Sequence, residues 1–96
     1  MDDSQTVLEE AQQAVYGPRQ AAYGHPRLNF ERNAALLNGY VEAKYGLKDM
    51  FSASDIGYIM VILKMARLME TPDHRDSLVD MAGYTATIAR VMEVDA

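Results

Sequence analysis

IGYIMVILKMARLM, residues Ile56 to Met69, is apolar on almost every side of a helical wheel, yet it sets two cations, Lys64 and Arg67, three residues apart within the run. A helix that is apolar nearly all round is a buried helix. An unpaired charge inside a protein costs several kcal/mol, so each cation must meet a carboxylate, an anionic ligand, or an edge where its stem is buried and its head reaches water. Which of these applies decides whether the run is scaffold or site.

Flanking signals give the run its ends. Ser52 and Asp55 stand at capping-box spacing before a helix over Ala53 to Glu70, and Thr71-Pro72 breaks it. Upstream, Ser4 to Tyr16 places Val7, Leu8, Ala11, Ala14 and Val15 on one face, with Ser4 as N-cap and Gly17-Pro18 as the stop. Arg19 to Leu28 has no clear period and reads as a structured loop with at most one helical turn. Asn29 is suited to cap a helix from Phe30 to Tyr45, with a stripe of Ala34, Leu37, Val41 and Tyr45 and with Gly46 at C′. A last helix runs from Pro72 or Asp73 to Met92, with Leu78, Met81, Ala82, Thr85, Ile88, Ala89 and Met92 facing inward. No segment alternates at period two, so the expected class is all-α: a small four-helix up-and-down bundle forming one domain over residues 1–96. Three short helices cover the Ile56–Met69 run incompletely, so a second subunit is expected to complete the bundle. The seven methionines suit core gaps or an adaptable binding surface.

Bulk composition narrows the function. With 49% apolar and 24% charged residues over 96 positions, the chain has the make-up of a folded domain with a modest core. Fourteen acidic against nine basic residues leave a net charge of −5, the wrong sign for non-specific nucleic-acid binding by the whole surface. With no cysteine, disulfides, thiolate metal sites and a cysteine nucleophile are excluded, and a reducing compartment fits. The acidic start MDDSQTVLEE lacks the features of a signal peptide, and no apolar run suits a bilayer span. No membrane association and a cytoplasmic location are expected.

Three constellations carry candidate chemistry. Asp76 and Asp80 lie four apart on the last helix, with Tyr84 one turn on. They either neutralise Lys64 and Arg67 across the hairpin or form with them the polar floor of a phosphate pocket. The stretch Arg19 to Arg32 carries Arg19, His25, Arg27 and Arg32 against Glu31 alone. Arginine forks suit phosphate, and Tyr23 and Phe30 are placed to stack on a base. The bland alternative is a solvated basic loop. The His25-Pro26 bond is a candidate cis peptide. His74-Arg75-Asp76-Ser77 opens the last helix, where backbone N–H groups and the dipole favour an anion. There Thr71 and Asp73 are alternative caps that need no ligand. The two histidines have no zinc spacing, and no metal site is assigned.

The segments RQAAYGHPRLNFER and DHRDSLVDMAGYTATIAR resemble a family of small, largely uncharacterised proteins of bacteriophages and their hosts. The shared pattern falls on Arg19, Tyr23, Gly24, Pro26, Asn29, Phe30, Lys64, Arg75, Asp76, Ser77, Asp80, Gly83 and Tyr84. Members of that family are loosely likened to MazG-type nucleotide pyrophosphohydrolases, all-α enzymes that hold magnesium on acidic helices. This chain has no Glu-x-x-Glu, and Asp73, Asp76 and Asp80 are its sole late acidic cluster. The resemblance implies action in a host cytoplasm if the chain is phage-encoded. The leading expectation is an oligomeric phage-type protein that binds, and sequesters, a phosphorylated small molecule such as a signalling nucleotide. Its expected contacts are Arg19, Tyr23, His25, Arg27, Asn29, Lys64, Arg67, His74, Arg75, Asp76, Ser77, Asp80 and Tyr84. The first alternative is a MazG-like hydrolase using Mg2+, the one reading with a cofactor. The second is a structural or regulatory helical module that contacts another protein.

Overall fold

Ser52 and Asp55 start the central helix as their spacing predicts. In the computed structural model, which describes residues 5–16 and 25–95 with side chains to residue 93, the Asp55 carboxylate accepts from the Ser52 N–H at 2.8 Å and from its hydroxyl at 3.1 Å. Four helices lie among the described residues: α1 Val7–Tyr16, α2 Pro26–Tyr45, α3 Ala53–Glu70 and α4 Arg75–Asp95. No strand occurs among those residues, and the all-α bundle is as expected. α4 is its hub, packing on α1, α2 and α3, whereas α1 packs principally on α4.

The stops and starts are set by local chemistry. Gly46 closes α2 at φ 72°, a left-handed conformation that favours glycine, and its N–H donates to Glu42 O at 2.9 Å. At the other end, α2 begins at Pro26, four residues earlier than an Asn29 cap would allow. Pro26 pre-sets the first helical φ, and His25 Nδ1 accepts the Arg27 N–H at 3.1 Å. Asn29 instead sits within the first turns, where its carbonyl accepts from the Asn33 side chain at 2.9 Å. The His25-Pro26 bond is trans. α1 begins at Val7 because Thr6 and Glu9 form a reciprocal capping box, at 3.1 and 3.2 Å. The proposed Ser4 cap and Gly17-Pro18 stop lie outside the described residues. Thr71 does not cap the last helix; its N–H closes α3 on Arg67 O at 3.0 Å. α4 begins at Arg75, behind a turn whose His74 side chain replaces the expected Thr71 or Asp73 cap.

Phe30, Ala34, Ile56 and Val91 form the core, with Leu37, Ala53, Ile59 and Tyr84 packed against it. Gly57 lets α3 meet α4 closely: a methyl there would lie 2.9 Å from Ile88 Cδ1, and closer still to its Cγ1. The loop after α2 turns back along that helix, and Asn38 clamps it by accepting from Phe51 N–H and donating to Phe51 O, both at 2.9 Å.

Two packing expectations are corrected. On α4, Leu78, Thr85, Ala89 and Met92 face solvent, while Ser77, Gly83, Ile88 and Val91 are buried. α4 serves partners on two sides, so its buried arc is wider than one stripe and centred elsewhere. On α3, only Ile56 and Gly57 are buried. Tyr58, Ile62, Met65 and Met69 are 47%, 61%, 52% and 86% exposed, so the run that reads as a fully buried helix presents an uncovered apolar face. The reason is reach. The returning loop sets α3 beside the N-terminal half of α2, with Phe30 close to Gly57, and the second half of α3 continues past that cover.

Candidate functional site

The two cations of the apolar run have different fates. Lys64 Nζ meets Asp80 Oδ2 at 3.0 Å across the α3–α4 hairpin. Arg67 is exposed and has no hydrogen bond or ion pair among the described residues, and exposed Asp76 likewise has none. The expected four-group cluster is therefore a single salt bridge, and the Asp76 half of the pairing is corrected. Arg67 lies on the exposed side of α3, the edge solution for a long cationic side chain.

His74 and Ser77 come together, but as a cap. Ser77 is 1% exposed. Its hydroxyl and His74 Nδ1 share a 2.8 Å hydrogen bond, and its N–H approaches the same nitrogen at 3.3 Å. A hydroxyl sealed this way is unavailable to a phosphate oxygen. Arg75 leaves the same turn in another direction: Nε donates to Glu10 Oε2 at 2.7 Å, Nη2 contacts the same oxygen, and Nη2 also donates to Gln5 O at 2.9 Å. It fastens α1 to α4. Arg27 does comparable work for α2, with Nε 2.5 Å from Glu31 Oε1 and Nη1 donating to Val91 O at 3.2 Å.

Other candidates disperse. Tyr84 packs against the core, Asn29 is exposed on α2, and His25 is spent as the α2 cap. Arg19 and Tyr23 lie outside the described residues. Asp73, Asp76 and Asp80 do not converge, and among the described residues no three carboxylate or imidazole groups are placed to hold a metal ion. A shallow depression on α1 is lined by Glu9, Gln12, Gln13 and Tyr16, none of which is a candidate. No helix among the described residues is long and apolar enough to cross a membrane.

Sequence reasoning missed Glu10, the partner of Arg75. No spacing rule links residues 65 apart, although a glutamate on the buried side of a short amphipathic helix was a legible signal. Arg90 was missed for the same reason. It donates to Val15 O at 3.4 Å and stacks over the Tyr16 ring at 4.9 Å.

Fold and site together define a small all-α bundle whose charged side chains tie its helices to one another. The chain belongs to the family described as a domain of unknown function (DUF6378), which matches residues 6–92. It is similar to the Gene 55 protein of Mycobacterium phage D29, 42% identical over 90 residues, covering 94% of this chain and 56% of the relative. The Gene 55 protein of Mycobacterium phage L5 is 35% identical over 86 residues, covering 90% of this chain and 52% of the relative. The chain thus spans about half the length of these curated relatives. No solved structure matches it. The expected kinship with uncharacterised phage proteins holds; these matches give no support to the MazG likeness or to nucleotide binding.

Proposed function

We propose that this phage-type chain is a helical protein-interaction module that works in the host cytoplasm by docking a helix face on another polypeptide. The observation that carries the reading is the exposed face of α3, where Tyr58, Ile62, Met65 and Met69 leave apolar surface uncovered. Grouped apolar exposure of this kind marks interaction surfaces, unlike single exposed residues. Methionine suits it, being flexible and polarizable.

The phosphorylated-ligand reading keeps less. Of its candidate cations at described positions, Lys64, Arg27 and Arg75 are engaged by protein acceptors. That leaves Arg67 as a solvated arginine outside any enclosure. The experiment is a thermal-shift panel of nucleotides and cyclic nucleotides at millimolar concentration. A ligand at about 100 times its Kd stabilises by about 2.7 kcal/mol, a shift of several degrees for a chain this small. The expected outcome is no shift. A shift of that size that disappears in Arg67→Ala overturns the interaction reading in favour of a small phosphorylated ligand.

A further inference from the structure

Leu63 is 55% exposed on another side of α3, but the other large exposed apolar residues of the helix are not scattered. Tyr58, Ile62, Met65 and Met69 follow one another at intervals of four, three and four, a single stripe along the outward side of the helix. Read from either end the intervals are the same. If two such helices lie antiparallel about a twofold axis, Ile62 therefore faces Met65 of the other copy and Tyr58 faces Met69. A self-complementary patch of this kind is what an isologous interface requires. It also sets a methionine sulfur against a tyrosine ring at each end.

No charge interrupts the stripe, so two chains of net charge −5 meet there without opposing like charges. Exposed Leu36 and Tyr40 lack this continuity, sharing their side of α2 with Asn29, Arg32 and Asn33, and Leu8 stands beside Gln12 on α1.

We infer that the α3 stripe is a homodimer interface, two copies pairing antiparallel across Tyr58, Ile62, Met65 and Met69. The inference rests on the interaction reading and gives it a partner, a second copy of the same chain. Native mass spectrometry and sedimentation at about 1 to 100 µM, the range for an interface of moderate affinity, test it on the full chain. The expected result is a dimer that Ile62→Glu converts to monomer without loss of helical circular dichroism, while Leu36→Glu on α2 leaves it dimeric. Because the chain has no cysteine, register is read by disulfide trapping. Mixed Ile62→Cys and Met65→Cys chains should give the heterodisulfide in preference to either homodisulfide. A wild-type monomer throughout the range, a dimer that survives Ile62→Glu, or preferential homodisulfides overturns the proposal. If the chain is monomeric and the nucleotide panel is silent, only the second copy is lost as occupant. If it is monomeric and the panel shifts, the interaction reading falls with it.

Discussion

Gly57 carries no side chain because Ile88 and Phe30 occupy the place one would need. A methyl there meets Ile88 at two carbons and lies 3.2 Å from Phe30 Cε2. Alanine favours a helix by about 1 kcal/mol over glycine, while overpacking a core costs about 1–3 kcal/mol. Since the atoms in the way are a buried branched side chain and a ring, the packing cost dominates. Gly57→Ala should lower unfolding free energy by up to about 2 kcal/mol in urea titration. In an Ile88→Ala background the loss should shrink or reverse, because the Ile88 carbons are gone and only the 3.2 Å approach to Phe30 Cε2 still opposes the propensity gain. Equal losses in both backgrounds would show that the obstruction lies elsewhere. Sequence made this glycine visible inside a helix but not its cause, since a contact 31 positions away has no local signature. Lys64 was legible in part: burial demanded a carboxylate, Asp80 supplies it, and only geometry excludes Asp76.

At the level of elements, what was legible is what local chemistry controls. The Ser52–Asp55 box and Gly46 fix the ends of α3 and α2 where their residue types say they should. The departures lie where two local signals compete. Asn29 is a good cap residue, but Pro26 preceded by a histidine able to accept a hydrogen bond is a sufficient start, and it lies upstream. On α4 the strongest apolar stripe is not the inward one: Gly83 and Ser77 are buried because small residues admit close neighbours. A glycine 3.5 Å, through its missing Cβ, from Val15 adds nothing to apolar periodicity. One side chain, Asn38, clamps the end of the connection between α2 and α3. Asn38 satisfies both backbone groups of Phe51. Asn38→Ala should therefore cost about 1–3 kcal/mol, the worth of two partly buried neutral hydrogen bonds. Asn38→Asp should cost nearly as much, because it keeps the acceptor but sets a carboxylate oxygen against Phe51 O. Urea midpoints equal to wild type for both variants would mean that the clamp contributes nothing.

Across the whole molecule, α1 is the least integrated part. It packs principally on α4, through Ala11 and Val15, the Arg75–Glu10 pair and the Arg90–Val15 contact, while α2, α3 and α4 share the Phe30–Val91 core. A helix held on one side by a small apolar patch and two arginines should detach before the rest unfolds. Two substitutions separate that event from global unfolding. Arg75→Ala removes contacts present only when α1 is docked, so it should lower the free energy of α1 opening and of global unfolding by the same amount, about 1–2 kcal/mol for charge-assisted bonds at a partly exposed site. Gly57→Ala acts on a contact that persists when α1 is open. It should lower the global value and leave α1 opening unchanged. Native-state hydrogen exchange reads both at once: amides of α1 should exchange through the smaller opening, those around Ile56 and Val91 through the global one. If Gly57→Ala accelerates exchange in α1 as much as in α3, α1 opens only by global unfolding and the bundle is one cooperative unit.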